Sequence, residues 1–169
     1  EDAAPAIGAS YFGQKCGTVG DFSAFSFQGA KLLVSGEGGM LCTNNLNLYK
    51  IAKKIADHGR NPNKTFWIDG PGLKYKMSNI QAALGLAQFE RLDELISKKR
   101  EIFSWYEKRL SQYHDIKLNK EADWAHSIYW MTSINLLNKS MSRDELMKKM
   151  KEDNIDTRPV FPTISKYPM

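Results

Sequence analysis

Lys31 occupies a position in the sequence where its amine could act as a nucleophile. It follows the strand-like run Phe22 to Phe27 and lies in a loop of small residues, where an amine can be held beside a ligand and partly removed from water. Removal from water frees the lone pair of a lysine amine for attack on a carbonyl carbon. Most lysines are solvated surface residues, however, so Lys31 alone does not predict catalysis.

Three other residues could contact a ligand, and each also has a structural explanation. Asp2 and Ser26 precede Lys31, but on residue type alone a helix or loop cap better explains the Asp and a strand end better explains the Ser. Arg158 could meet an anionic group or form a structural ion pair. Packing or capping is favoured for two further groups of residues, namely the histidines without metal-ligand spacing (His58, His114, His126) and the aromatic residues Trp124, Tyr129 and Trp130. No metal site is predicted.

Composition limits the class of protein. The chain has 169 residues, 42% of them hydrophobic, with a formal net charge of +5. This apolar content supports a core and excludes wholesale disorder. No apolar run approaches the ~18 residues of a membrane-spanning helix, and the basic residues are interleaved with acids, which favours a solvated surface over nucleic-acid binding. Cys16 and Cys42 lack CxxC or metal-like spacing, which is typical of a reducing cytoplasm.

Strand-like and helical patterns alternate around Lys31. Phe22 to Phe27 and Gly39 to Thr43 are short, apolar or aromatic, and bounded by Gly or Asn, which predicts two strands. The glycine-rich segment between them, Gly36 to Gly39, lacks the strand-to-helix setting of a phosphate cradle and favours a tight turn. An apolar stripe from Leu46 to His58 predicts a helix.

The next part of the chain predicts one long helical stretch. Ser78 and Gln81 form a capping box, and helical spacing continues to about Tyr113, bent near Gly85 or split. Such a length suggests a connector between two domains, residues 1–100 and residues 101–169.

The last part of the chain predicts strand, helix and strand. Ser127 to Leu137 is strand-like, and a capping box at Ser142 opens a helix with Leu146, Met147 and Met150 facing inward. Ile155 to Phe161 is a final strand interrupted by Pro159. This alternation predicts an α/β fold. Because the chain starts at Glu1 without Met and stops soon after Phe161, we expect a piece of a longer protein.

An ordered series of motifs resembles one enzyme family. The motifs are Glu1-Asp2-Ala3-Ala4, Gly20-Asp21, Phe25-Ser26-Phe27-Gln28-Gly29-Ala30-Lys31, Gly36-Glu37-Gly38-Gly39-Met40, Tyr75-Lys76-Met77-Ser78-Asn79-Ile80-Gln81-Ala82-Ala83-Leu84-Gly85 and Thr157-Arg158-Pro159-Val160-Phe161. Together they resemble the nucleotide-sugar aminotransferases of the DegT/DnrJ/EryC1/StrS family, which use pyridoxal 5'-phosphate and have the aspartate aminotransferase fold (fold type I). The resemblance implies that residues 1–100 are the C-terminal part of the large cofactor-binding domain and residues 101–169 part of the small domain.

The resemblance also implies a role for each candidate residue. Lys31 would form the Schiff base with the cofactor aldehyde and then act as general acid and base. Asp2 would face the pyridine nitrogen and keep it protonated, and Ser26 would bind the phosphate. Arg158 would meet anionic groups of the substrate.

The sequence departs from the family pattern at two positions. Pro5 stands where many members carry Gln or His near the cofactor ring, and it offers no side-chain hydrogen bond. Lys74 stands where many members carry an Asn that reaches the phosphate across the dimer interface. A lysine can bind phosphate as a point charge, although a surface lysine is an equal explanation.

The implied reaction is transfer of an amino group from an amino acid, glutamate by resemblance, to a keto group of a nucleotide-linked deoxysugar. The enzyme would be a cytoplasmic homodimer that serves surface polysaccharide or related glycoconjugate synthesis, and this stretch alone would be inactive. Tyr129-Trp130-Met131 and Thr157-Arg158-Pro159 resemble the perosamine-type branch, which aminates a 4-keto sugar. One alternative is a non-catalytic binding or regulatory module that retains the fold, and another is a basic nucleic-acid binder. A sugar dehydratase of the same fold would carry His at the position of Lys31.

Overall fold

Short strands and longer helices alternate along the chain. The computed structural model describes residues 1–138 and 140–168. The strands are β1 (Ser10–Tyr11), β2 (Gln14–Lys15), β3 (Ser23–Ser26), β4 (Gly39–Cys42), β5 (Ile116–Leu118), β6 (Ala125–His126) and β7 (Ile134–Leu136). The helices are α1 (Leu46–Ala56), α2 (Asn79–Phe89), α3 (Leu92–Leu110) and α4 (Arg143–Glu152), and a single 3-10 turn covers Ile164–Lys166.

The described residues group into two units. The first consists of Glu1–Glu101 and Glu121–Trp130, and the second consists of Ile102–Lys120 and the residues from Met131 onward. The chain therefore leaves the first unit within α3, returns to it for ten residues that include β6, and leaves it again.

Strands β3 and β4 form the antiparallel pair that frames the Lys31 loop, which confirms both strand predictions. Ser26 at the end of β3 lies opposite Gly39, and Phe25 lies opposite Met40. A side chain at position 39 would clash with the carbonyl oxygen of Phe25, so this pairing requires glycine there. Asp2 makes a parallel bridge to Ala24, on β3.

The remaining strands of the first unit form a small antiparallel sheet in the order β2-β1-β6. Ser10 pairs with Lys15 on one side and with His126 on the other. Through the pairing of β1 with β6, the segment Glu121–Trp130 belongs to the first unit. No sequence pattern predicts β1 or β2.

The long helical stretch is split rather than bent. The capping box is present, with Ser78 Oγ accepting from the Gln81 N–H and the Gln81 side chain accepting from the Ser78 N–H. The first helix runs through Gly85 and ends at Phe89, and α3 starts at Leu92, so of the two predicted alternatives the structure shows the split. Acidic residues in the first turn favour a new helix N-terminus, and α3 carries Asp93 and Glu94 there.

Helix α3 is the longest helix, with 19 residues. Charged residues recur along it, and its Phe103 is buried. Among the residues that the structure describes, no helix combines the length and the apolar content needed to cross a bilayer.

The second unit pairs β5 with β7 in antiparallel register, with Ile116 opposite Leu136. Helix α4 starts at the predicted capping box, where the Ser142 hydroxyl accepts from the Glu145 N–H. Leu146, Met147 and Met150 are half-buried, as the apolar stripe predicted.

Two strand predictions in this half are wrong. The run from Ser127 to Leu137 is a strand only at β7, because Tyr129 has a φ of 46°, a left-handed conformation that no extended strand accommodates. Ile155 to Phe161 forms no strand. Pro159 in that run lacks a donor for a strand ladder, and Val160 and Phe161 are exposed.

Candidate functional site

The loop that carries Lys31 is closed by backbone hydrogen bonds at its base. The Phe27 N–H donates to the Gly38 carbonyl at 2.9 Å, and the Ser35 N–H donates to the Phe27 carbonyl at 2.9 Å. The buried hydroxyl of Ser35 also donates to the carbonyl of Glu37 at 2.8 Å. The two ends of the loop are therefore held together where β3 ends and β4 begins.

The residues next to Lys31 fix its backbone. The Lys31 N–H donates to the Gln28 carbonyl at 2.9 Å, and the Gln28 side-chain oxygen accepts from the Ala30 N–H at 2.8 Å. Leu32 and Leu33, which follow directly, are buried in the core at 7% and 2% exposure. The Lys31 backbone is therefore held between a hydrogen-bonded turn and two buried leucines.

The Lys31 amine lies against Trp130. Its Nζ is 4.2 Å from the centroid of the Trp130 ring. The indole Nε1–H of Trp130 donates to the carbonyl oxygen of Ala30 at 2.7 Å. Both residues are half-buried. The sequence pattern favours a strand core for Trp130, whereas Trp130 lies outside the described strands and beside the candidate nucleophile.

Asp2 and Ser26 both lie at β3. Besides the Asp2–Ala24 bridge, the Ala3 N–H donates to the Ala24 carbonyl at 3.0 Å. The Asp2 carboxylate is exposed and accepts the Ala4 N–H at 3.1 Å. Ser26, two residues after Ala24, accepts the Gln28 N–H on its Oγ at 3.3 Å. The structure therefore brings a carboxylate, a hydroxyl and an amine to one strand and the loop that follows it.

Lys74 and Arg158 lie on other parts of the chain. Lys74 is exposed and makes an isolated backbone bridge to Asp57, whose carboxylate pairs with Lys76 at 3.3 Å. Within the described residues, no hydrogen bond or ion pair links Lys74 to Lys31. Arg158 is exposed in the second unit.

Arg158 affects the pKa of the Asp156 carboxyl, two residues earlier in the chain. The hydrogen bond from Lys151 lowers the pKa of the Asp156 carboxyl, and the charge of Arg158 contributes less in the same direction. The Asp156 carboxylate is therefore within electrostatic reach of Arg158.

Pro5 lies in a tight turn. The Ala6 N–H donates to the Ala3 carbonyl at 2.9 Å across Ala4 and Pro5. The turn suits proline, which needs no N–H donor there. The turn therefore accommodates Pro5 three residues after Asp2.

A cavity of about 420 Å³ lies elsewhere in the first unit. Its lining includes Cys16, Phe25, Cys42 and Leu92 but none of the candidate site residues.

Comparison with known proteins finds two similar proteins that are named as synthases of a nucleotide-linked sugar. The GDP-perosamine synthase of Escherichia coli O157:H7 is 41% identical over 169 residues, which is 100% of this chain and 46% of that protein. The GDP-perosamine synthase of Caulobacter vibrioides is 39% identical over 163 residues, covering 95% of this chain and 44% of that protein. The chain thus spans less than half the length of these curated relatives.

Solved structures agree with the fold. The aminotransferase TlmJ from Streptoalloteichus hindustanus is 28% identical and superposes with a TM-score of 0.87, covering 95% of this chain and 44% of that chain. PseC of Helicobacter pylori, at 24% identity, has a TM-score of 0.92 over 99% of this chain and 46% of its own, which supports the fold alone. These similarities confirm the predicted fold, part of the type I fold of pyridoxal-phosphate enzymes.

The family model agrees with the relatives over the whole sequence. The model for the DegT/DnrJ/EryC1/StrS aminotransferase family matches residues 1–169. A match of this extent, together with relatives at about 40% identity, confirms the family resemblance. The chain belongs to the DegT/DnrJ/EryC1/StrS aminotransferase family.

Proposed function

We propose that the protein containing this chain is a pyridoxal-phosphate-dependent aminotransferase that acts on a keto group of a nucleotide-linked sugar. The observation that carries the proposal is the position of Lys31, a half-buried amine on a hydrogen-bonded loop directly after the strand that holds Ser26 and contacts Asp2. The names of the relatives at 41% and 39% identity support the sugar-nucleotide substrate.

The side chains at β3 fit this cofactor chemically. The cofactor has an aldehyde, a phosphate and a ring nitrogen, and the site offers an amine, a hydroxyl and a carboxylate. The Asp2 carboxylate is exposed, so it can accept a further hydrogen bond besides the one from the Ala4 N–H. When bound, pyridoxal phosphate supplies an electron sink for the substrate carbon.

Each residue then has a defined task. Lys31 would hold the aldehyde covalently through Nζ and, once freed by the donor amine, would move a proton to or from the substrate carbon. Asp2 would face the ring nitrogen and keep it protonated. Ser26 would donate its hydroxyl to the phosphate.

The finer assignments are extensions of the same proposal. We propose glutamate as the amino donor and a 4-keto deoxysugar of the perosamine type as the acceptor, with Arg158 meeting anionic groups of the substrate. We also propose a cytoplasmic homodimer in which Lys74 supplies a point charge to the phosphate. Residues 1–100 would belong to the large domain and residues 101–169 to the small domain, although Glu121–Trp130 groups with the first unit of the structure.

Borohydride trapping tests the proposal in the full-length protein. After incubation with pyridoxal phosphate and reduction, peptide mapping is expected to find the adduct on Lys31. The variant Lys31→Ala should lose the adduct and the aminotransferase activity together. Lys50→Ala, which changes an exposed lysine on α1, is the matched control and should keep both.

A wild-type protein that gains no adduct would contradict the aminotransferase assignment and favour a non-catalytic binding module of the same fold. Normal transamination by Lys31→Ala would contradict the role of Lys31. Steep loss of duplex binding with rising salt would instead favour a nucleic-acid binder.

A further inference from the structure

We propose that Trp130 is a positioning residue for Lys31, which sets the direction from which the lysine amine meets a carbonyl carbon. The inference rests on the proposed role of Lys31 as the reactive amine. It concerns a residue that is far from Lys31 in sequence and beside it in the first unit.

Trp130 acts on two consecutive residues. Its ring lies 4.2 Å from the Lys31 Nζ, within the range in which an aromatic face attracts an ammonium group. Its indole N–H donates to the Ala30 carbonyl at 2.7 Å. One contact orients the flexible lysine side chain, and the other holds the backbone from which that side chain starts.

The backbone of Trp130 is itself turned by an uncommon conformation. Tyr129 has a φ of 46°, a region that bulky residues rarely adopt. The Tyr129 N–H donates to the Ser127 Oγ at 3.0 Å, and the phenol oxygen of Tyr129 accepts the Glu121 N–H at 3.1 Å. Strained residues persist where surrounding contacts over-determine them, and they cluster at functional sites.

Helix α3 supplies the contacts that hold this turn in place. Lys99 donates through Nζ to the Trp130 carbonyl at 3.2 Å. Arg100 binds the Glu121 carboxylate and the Ser127 carbonyl, and its guanidinium lies 5.4 Å from the centroid of the Tyr129 ring. Trp130 is therefore anchored at its carbonyl by α3 and at its indole by the Lys31 loop.

The geometry points to positioning rather than to packing alone. The pattern from Ser127 to Leu137 favours an extended strand, and an extended backbone would not need the conformation of Tyr129. The departure from the strand occurs directly before Trp130, whose ring then meets the amine. The turn therefore places the indole against Lys31.

Two substitutions separate the two contacts. Trp130→Phe keeps an aromatic face but removes the N–H that binds Ala30, and Trp130→Leu removes both. Trp124 offers a matched control, because it is half-exposed in the same unit and packs against Tyr11 and Phe12 instead of Lys31. Trp124→Phe and Trp124→Leu make the same chemical changes there.

The first readout needs no cofactor. Competitive labelling of lysine amines in the cofactor-free, full-length protein, followed by peptide mapping, measures the reactivity of Lys31 relative to Lys50. Loss of an aromatic cover over an ammonium should raise the Lys31 labelling rate roughly two- to fivefold in Trp130→Leu. The Trp124 variants should leave it unchanged.

The second readout separates positioning from stability in the loaded enzyme. Loss of the single hydrogen bond to Ala30 should lower kcat roughly three- to tenfold in Trp130→Phe. The KM for the sugar nucleotide should stay unchanged, because the indole contacts the lysine and not the substrate. Circular dichroism verifies that each variant is folded. If Trp130→Leu does not fold, the kcat of Trp130→Phe tests the positioning role by itself.

The inference would be overturned if Trp130→Leu labelled Lys31 at the wild-type rate. It would also be overturned if the Trp124 variants lowered kcat as much as the Trp130 variants, or if Trp130→Phe left kcat unchanged. Failure of the proposed function is distinguishable, because it appears as a missing borohydride adduct in the wild type, while the labelling experiment still reports whether Trp130 covers Lys31.

Discussion

The ion pair between Arg100 and Glu121 joins helix α3 to the segment that ends at Trp130, and Glu121→Gln tests its contribution. The Glu121 carboxylate accepts from Arg100 Nη1 at 2.6 Å and from Nη2 at 3.1 Å, and it also accepts the Ser127 N–H. A glutamine keeps one acceptor oxygen but turns an NH₂ group toward the guanidinium, where two donors oppose each other.

The expected magnitude follows from exposure. Hydrogen bonds to charged groups contribute about 1.5–3 kcal/mol when they are well shielded. Here the side chains of Arg100 and Glu121 are 33% and 24% exposed, so water screens part of this contribution. We expect Glu121→Gln to lower the free energy of local opening by about 1–2 kcal/mol.

Hydrogen exchange is the suitable assay, because a multidomain protein need not unfold in one step. Amides of residues 121–130 should lose protection in Glu121→Gln. The matched control is Glu94→Gln, since Glu94 pairs with Arg91 in a similar two-bond geometry at 2.7 and 2.9 Å. Those side chains are 56% and 63% exposed, so no measurable change is expected.

The effect should also depend on pH in a defined direction. Hydrogen bonding from Arg100 lowers the pKa of the Glu121 carboxyl in the folded protein. A lowered pKa contributes stability that is complete above the unfolded-state pKa, about 4.3, and is lost as pH falls through the folded-state pKa. The difference between wild type and Glu121→Gln should therefore be full at neutral pH and shrink below about pH 4.3.

Two results would refute this reasoning. One is equal loss of protection in Glu121→Gln and Glu94→Gln, which would mean that partial burial of the pair has no effect. The other is a difference between wild type and Glu121→Gln that grows on acidification. Either result would remove the support that α3 is inferred to give the Trp130 turn.

Two further substitutions test the local structure around the site and in the second unit. Gly39→Ala should destabilise the protein by about 1–3 kcal/mol, because the added methyl group clashes with the Phe25 carbonyl oxygen. Gly29→Ala, whose Cβ would come no nearer than 3.8 Å to another group, is the control in thermal unfolding. Ser142→Ala should lower the stability of α4 by about 1 kcal/mol through loss of its N-cap, while Ser140→Ala should not; protection of the α4 amides that is equal in both variants would contradict the capping role.

Features governed by local interactions were predictable from the sequence. The capping boxes at Ser78 and Ser142 are closed by hydrogen bonds between residues three apart, so four residues suffice to recognise each one. Strands β3 and β4 were recognisable as short apolar runs with Gly or Asn at their ends. The series of motifs around Lys31 identified the family, and the comparisons confirmed it.

Features that depend on distant partners were not predictable. Strand β1 contains only two residues. It pairs with β2, which is close in sequence, and with β6, which is more than a hundred positions away. The predicted strand Ile155 to Phe161 contains Pro159, and among the described residues no strand pairs with it. A short run becomes a strand only when a neighbour accepts its hydrogen bonds, and no local pattern reports that neighbour.

The amino-acid sequence by itself determined the family, the capped helices and the identity of the candidate nucleophile, Lys31. Only the tertiary structure decided what surrounds that lysine. The Trp130 N–H meets the Ala30 carbonyl across a separation of 100 residues, and the turn at Tyr129 depends on Arg100, on another element. Local preference favours an extended chain at Tyr129, and the contacts from α3 outweigh that preference because they are several and act on one short segment.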